Sequence, residues 1–523
     1  MEQIIETIVL LVAPWPLWRL LAFPNTWRGA PGNALLLTLA LAVYAVMIVS
    51  VALHALDLLR VLAAVALAAL LYERWRARES YGAGGSLPPG SIGLLPLAPC
   101  RDDRFYAGQA RAHGPLFKAG ATFPYPSLRP MVCVAGQTRA RALFRDQAEA
   151  LAVAPAPRFN RLIPRGFLRY MAPSDHKHYR RILQAALSPA LIERTDAQIA
   201  AQVRQSCDAM AEACQTKGAE GIAPRAPITD MLFALFLVLF FGIGRDHGAY
   251  DRLRHDLPRI GIRPRLWPAS ARRDDAVLAA VGTVLRDQAN TVATDGTAPA
   301  SVLAALVQAE PAAVQDDTVL RNLIYMVETG RHDLGGLLRW MLKLLGDNPQ
   351  WLARLRAETD RRGDTPPGAD SSLADRIVKE CLRLEQSEYL FRRITRDIRF
   401  DGFRLPKGWV LRICVREGHR DAAVFDRPDD FDPDRFLDTA FPSGAYAPFG
   451  IDQHRCLGVT LIEAVGRHFV TVLARNFDWS VAHDGPRHFG RFHWEPNRGF
   501  RIRIAARSDR PGCATSAETH TLS

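Results

Sequence analysis

The hydrophobic positions of this chain divide it in two. From Gly29 to Leu53 no charged residue occurs, and Ala34–Leu53 (ALLLTLALAVYAVMIVSVAL) alone supplies the about 20 residues that cross a hydrocarbon core. A second apolar run, Val61–Tyr72, is shorter and set apart from the first by His54, Asp57 and Arg60; it reads as a short return span or an interfacial helix. Thr7–Trp18 is also apolar, but Pro14 and Pro16 break it and Glu2 and Glu6 precede it, so it lacks the basic start of a signal peptide and reads as interfacial. Arg74, Arg76 and Arg78 follow the apolar block, and juxtamembrane arginines favour the cytoplasmic side. Residues 1–81 are therefore expected to form a membrane anchor region, with lipid as a partner and the rest of the chain facing the cytoplasm.

The next segment, residues 82–99 (GAGGSLPPGSIGLLPLAP), is too rich in Gly and Pro for a helix and suits a hinge. The body then runs over 100–507, ahead of a polar tail, 508–523, that has little to bury and is expected to be disordered. Within the body, Met231–Phe241 is too short an apolar run to span a membrane and predicts a buried core helix. Helical periodicity dominates from Thr195 to Arg362, whereas Phe403–Val415 and Gly499–Ala506 alternate as strands do. The fold class read from this pattern is mainly α with small β-sheets, preceded by an N-terminal transmembrane region.

Composition narrows the function. With 523 residues and 48% apolar content the chain can bury a large core, which disfavours disorder. The formal charge of +12 is the difference between 66 basic and 54 acidic residues, and the basic ones are scattered among the acidic ones without a nucleic-acid-reading module. No nucleic-acid partner is expected. The 8 cysteines form no C-x-x-C pair, which fits reduced thiols and argues against zinc or a disulfide framework.

One cysteine stands apart. Ala447-Pro-Phe-Gly-Ile-Asp-Gln-His-Arg-Cys456-Leu-Gly458 delivers a thiol immediately before an apolar helix, Val459–Phe477. Free amides and the dipole of a helix start stabilise a thiolate, and His454 and Arg455 add positive potential. This stretch resembles the haem-ligand loop of the cytochrome P450 family, with Phe449, Gly450, Cys456 and Gly458 at matching spacing.

Other landmarks of that family follow in order over roughly Leu87–Arg507. Lys379-Glu380-Cys381-Leu382-Arg383 resembles its E-x-x-R helix; by resemblance Glu380 and Arg383 form a buried structural pair joined by a downstream arginine, here Arg435 in Phe431-Asp-Pro-Asp-Arg-Phe436. Phe403–Gly408 and Gly418-His-Arg-Asp421 resemble the strand turn and the A-H-R-D-P segment, with Ala422 in place of the usual Pro. His176 and Arg180, four apart on one helical face, resemble the pair that holds a haem propionate, and Arg392 and His454 stand where further propionate partners are placed. The resemblance implies the cytochrome P450 fold, haem b, and Cys456 as the iron ligand.

The oxygen-activating helix of the family matches Leu323–Asn348, anchored by Asn348-Pro349, and there the sequence departs from the pattern. Where the family reads A/G-G-x-acid-Thr-Thr, this chain reads Thr329-Gly330-Arg331-His332-Asp333-Leu334. Gly330 is retained, which would allow the local widening that admits dioxygen, while His332 stands at the acid and Asp333 at the alcohol. Both titrate, and a carboxyl can pass protons as an alcohol does. Thr329–Asp333 and Glu328–His332, each four apart, could form same-face pairs that rebuild a relay. A register shifted by one turn would instead make Glu328-Thr329 the acid–alcohol pair.

Three functions remain open at this point. The first is a monooxygenase that hydroxylates or desaturates a small hydrophobic substrate with dioxygen and electrons from a separate reductase or ferredoxin, since no such module follows Arg507 in the sequence. The second is a reductase-independent haem-thiolate enzyme (peroxygenase, isomerase or dehydratase), in which Arg331 could pair with a substrate carboxylate. The third is a haem-binding protein without turnover.

Overall fold

The computed structural model describes residues 86–90, 102–120, 130–153, 166–260, 269–293, 298–362, 372–385, 390–437, 441–490 and 493–507, with scattered helical positions at 42, 61, 63–65, 67, 68 and 71. The expected span at 34–53 apart from residue 42, most of the 61–72 run, the Thr7–Trp18 run and the 508–523 tail lie outside the described residues. No helix among the described residues is long and apolar enough to cross a membrane. Of the 82–99 segment, residues 86–90 are described, and they are fastened to the body: the Ser86 carbonyl accepts from Arg404 N at 3.0 Å and the Pro89 carbonyl from Lys118 N at 2.7 Å.

Mainly helical architecture with small sheets is what the hydrophobic pattern predicts, and it is what forms. The helices that build the site are α1 (Phe105–His113), α2 (Gln137–Gln147), α3 (Pro173–Ala186), α4 (Asp196–Lys217), α5 (Arg225–Phe236), α6 (Asp317–Asp347), α7 (Leu373–Glu385) and α8 (Val459–Asn476). Five strands form one sheet in the order β1 (Leu116–Gly120), β2 (Pro130–Ala135), β7 (Val410–Cys414), β4 (Leu390–Ile394), β3 (Leu151–Val153). Only β2 and β7 run parallel in it. Three two-stranded sheets complete the strands: β5 (Ile398–Phe400) with β6 (Phe403–Leu405), β8 (Phe477–His483) with β11 (Arg501–Ala506), and β9 (His488–Phe489) with β10 (Trp494–Glu495).

Period-two alternation explains why the five-stranded sheet is covered on both faces. Val132, Val134, Leu411 and Ile413 enter one apolar cluster, while Met131, Cys133, Val410 and Cys414 enter another on the opposite side. The helical core is larger. Met231–Phe241 is buried as predicted, although α5 ends at Phe236 and the run continues as one π-helical turn, Leu237–Phe241, closed by Gly242.

Helix α6 is the axis of that core. Asp316 caps it, its carboxylate accepting from Thr318 N at 2.7 Å, and at the other end the Asn348 side chain donates to Leu344 O at 2.9 Å before Pro349. Leu338, Met341, Leu342 and Leu345 are fully buried, each stabilising the fold by about 1.5–3 kcal/mol. The helix remains α-helical through Gly330, so the local widening expected there is not formed. The physical reason is packing: a Cβ at Gly330 would lie 2.9 Å from Phe236 of α5, whose ring fills the space the glycine leaves.

Candidate active site

The strongest local structure surrounds Glu380 on α7. Its carboxylate accepts two bonds from Arg383, at 2.7 and 2.8 Å, and a third from Asp432 N at 2.9 Å. Arg383 spends its remaining donors on the carbonyls of His419 and Pro428, both at 2.7 Å, and Asp430 at 3.0 Å. Arg435 closes the cluster, with Nε 3.5 Å from Glu380 and its other nitrogens on the carbonyls of Asp426 and Arg427. Glu380 and Arg383 are wholly buried, and a buried ion pair is tolerated only when its lone pairs and protons are met in this way. All three residues expected from the sequence meet here.

His419 transmits this arrangement to the cysteine loop, a role the sequence did not suggest. Its carbonyl accepts from Arg383 and its Nε2 accepts from Ala447 N at 2.9 Å, at the start of the loop. Burial, and then the Arg383 charge, push the His419 pKa down to about 3, so the ring is neutral and able to accept. Tyr446, beside it, donates to Lys379 O at 3.1 Å.

The loop then turns at Gly450, whose φ of 94° is the left-handed region that favours glycine. The Phe449 carbonyl accepts from Cys456 N at 2.9 Å, and Gly458 N lies 3.3 Å from Cys456 Sγ and donates toward it. Cys456 is half-buried, one turn before α8, so amide donors and the helix dipole point at its sulfur. The other described cysteines are buried, and burial pushes the Cys207 and Cys381 thiols well up. Cys456 alone of them is placed for reaction.

A group of bases surrounds the loop. His176 and Arg180 come from α3, which starts with Pro173 at its first turn. The His176 ring lies 4.1 Å from that of His454, centroid to centroid. Burial and the neighbouring cations hold both rings below the usual histidine range, His454 at about 3. Arg180 is half-buried and, among the described residues, makes no hydrogen bond or ion pair; burial pushes its pKa down. Arg392 reaches the same loop but is already held there, by an ion pair to Asp452 and a 2.7 Å bond to Phe391 O. Asp452, which the sequence reading passed over, also accepts from His454 N at 2.9 Å.

Cys456 opens onto a cavity whose apolar wall includes Leu334, Leu337 and Trp340 of α6, Phe449 and Ile462. Asp333 lines it too, so the structure brings the residue at the alcohol position to the same space as the thiol. Thr329 and Arg331 are arranged differently from expectation. Thr329 donates to Tyr325 O at 2.9 Å, the ordinary back-bond of a helical threonine, and does not pair with Asp333. Glu328 accepts from Arg331 at 2.9 Å inside the core, with Arg331 against the face of Phe233. Arg331 is therefore not available to a substrate carboxylate, because a cation 9% exposed needs its counter-ion. His332 is exposed.

These residues fit a haem. A thiol at a helix start supplies an iron ligand, the cavity beside it is mostly apolar, and Arg180 is a half-buried cation with no ion pair among the described residues, which a carboxylate would complete.

Comparison with known proteins agrees. Residues 284–493 match the family model described as Cytochrome P450. The chain is 25% identical over 470 residues to abscisic acid 8'-hydroxylase 2 of Oryza sativa subsp. indica, covering 79% of this chain and 87% of that protein. It is 24% identical over 427 residues to ent-kaurenoic acid oxidase 1 of Hordeum vulgare, covering 73% of this chain and 83% of that protein. In fold it resembles retinoic acid bound cyanobacterial CYP120A1, with a TM-score of 0.67 at 20% identity, over 81% of this chain and 100% of that one. The chain belongs to the cytochrome P450 family. It is an oxidoreductase of that monooxygenase family, whose cofactor is haem iron.

Proposed function

We propose that this protein is a membrane-associated monooxygenase that hydroxylates or desaturates an apolar substrate, using haem b, dioxygen and electrons from a separate reductase or ferredoxin. The observation that carries this reading is the Cys456 thiol, held at the start of α8 with Gly458 N donating toward it and facing an apolar cavity. When bound there, haem supplies dioxygen activation, strengthened by electron donation from a thiolate. His176 and Arg180 would hold its carboxylates through charge-assisted bonds. Leu334, Leu337 and Trp340 would lie against the haem and keep water from it, and Asp333 holds and passes a proton at its carboxyl, in place of the family's alcohol.

Relatives named as an abscisic acid hydroxylase and an ent-kaurenoic acid oxidase support oxidation of a hydrophobic organic molecule. Membrane attachment, with the body on the cytoplasmic side, is supported by the uncharged run at 34–53, by Arg74, Arg76 and Arg78, and by the exposed helical positions Val61, Val65, Leu67 and Leu71. Membranes containing the protein, given extracted host lipids with heavy-isotope dioxygen and an electron-transfer system, should yield labelled product that peroxide alone does not give. Product formed with peroxide alone would replace this reading with the reductase-independent one.

A further inference from the structure

Asp452 takes no part in the chemistry above, yet it stands among all four basic groups placed around the cysteine loop. One carboxylate oxygen pairs with Arg392 of β4, and the other accepts from His454 N at 2.9 Å. Its charge also reaches His176 and Arg180 of α3. Burial pushes the pKa of each of these two down, and the Asp452 carboxylate acts against that fall in both.

The Asp452 pair decides which arginine a ligand can use. The Arg392 side chain is 5% exposed and its contacts are committed: one terminal nitrogen donates to Phe391 O at 2.7 Å and the other to Asp452. Its Cζ lies over the Phe144 ring of α2, 5.2 Å from the centroid. Arg180 is half-buried and makes no hydrogen bond or ion pair among the described residues. A ligand carboxylate that took Arg392 would strip the buried Asp452 of its cation and set two negative charges on one guanidinium. Breaking a buried pair outweighs one new charge-assisted bond. A carboxylate that takes Arg180 breaks nothing. The sequence resemblance sets Arg392 against a haem carboxylate, whereas the ion pair sets it against the loop.

We propose that Asp452 is a positioning residue of the haem site. It keeps Arg392 on the cysteine loop and off the haem carboxylates, leaving Arg180 to grip them, and its negative charge holds the iron at a lower reduction potential than a neutral residue there would. Oxidised iron carries one more positive charge than reduced iron, so a nearby anion favours it. This rests on haem being seated at Cys456.

The test uses the full-length, haem-loaded protein in detergent, and neither readout needs turnover: haem transfer to an excess of an apo-haem protein, and the iron midpoint potential from a dye-coupled titration under argon. Asp452→Asn removes the charge and keeps an oxygen for His454 N. It should free Arg392 for the haem, slow haem release by about three- to tenfold, the value of one hydrogen bond, and raise the midpoint potential. Asp452→Glu, which keeps the charge, should leave the potential near wild type. The double variant Asp452→Asn/Arg392→Gln removes a pair that satisfies itself, so its haem release should return to near the wild-type rate. Release no slower than wild type in Asp452→Asn, or a potential that does not rise, overturns the proposal. The double variant leaves no buried charge unpaired and decides even where Asp452→Asn alone does not fold: release faster than wild type would mean that Arg392 grips haem in the native protein, and overturns the proposal too. A wild-type absorption spectrum without the mark of a thiolate ligand would instead overturn the seating of haem at Cys456, and the role of Asp452 with it.

Discussion

Beneath the cysteine loop, the buried Glu380 and Arg383 have all their partners; beside the loop, Arg180 has no hydrogen bond or ion pair among the described residues, and His493 has no hydrogen bond. Glu380 accepts from Arg383 and Asp432 N, and Arg383 donates to Glu380 and to three carbonyls. Arg180 makes no hydrogen bond or ion pair among the described residues, and both ring nitrogens of His493 lack a hydrogen bond. Burial is costly on both sides, and the two differ in what satisfies the buried group. Where the protein supplies the partners, the cluster holds the fold. Where it leaves groups open, a ligand completes them.

The largest effect should come from breaking the satisfied side. Glu380→Ala leaves the Arg383 cation buried and uncompensated, and should cost about 3–5 kcal/mol, read as a lower denaturant midpoint and loss of haem. An unchanged midpoint would mean that the Arg383 carbonyl contacts suffice without the carboxylate.

The open side should answer in the opposite sense. Arg180→Gln removes a cation that the folded protein does not use, so the denaturant midpoint should move by less than about 0.5 kcal/mol. Haem should nevertheless leave about ten- to a hundredfold faster, measured by transfer to an excess of an apo-haem protein, because a charge-assisted contact is lost. Equal haem release from the variant and wild type would remove Arg180 from the haem site.

Acid should weaken both regions through their histidines. His419 and His493 are held at about 3 and about 4, below the 6.5 of a free histidine, so between these values the unfolded chain binds more protons than the folded one. Stability is then full above about pH 6.5 and falls as pH drops toward about 4, with a slope of about 1.4 kcal/mol per pH unit for each histidine that takes up a proton on unfolding. Midpoints measured across that range check it, and His419→Gln should flatten the slope.

Smallest of all should be Thr329→Ala. Its hydroxyl is spent on Tyr325 O, so coupling of electron use to product should stay near wild type, whereas Asp333→Ala should waste electrons and dioxygen. Product yield per electron consumed separates the two.

The sequence made the satisfied side legible because its pieces are local or stand in motifs of fixed spacing. Glu380 and Arg383 share one helical face, Arg435 sits in a short recognisable segment, and Cys456 stands directly before its helix. The open side depends on which chain segments meet, and spacing does not carry that. Nothing local to Trp494–Glu495 says that His493 will rest on Gly336. Gly330 looked like a site of helix opening because the ring of Phe236, far away in sequence, was not visible as its filler. Arg331 looked free for a substrate until Glu328, three residues before it, was found to be its buried partner. Asp452 was the one missed contact with a local signal, since an aspartate that caps the amide two residues on is a common turn device.

The central claim is that Cys456 gives its thiolate to haem iron. Iron X-ray absorption of the haem-loaded protein tests it most directly, with wild type and Cys456→Ser compared at equal haem content. A single sulfur neighbour of iron in wild type, replaced by a lighter atom in the variant, is the expected result. A sulfur neighbour that persists in Cys456→Ser, or none in wild type, would contradict it.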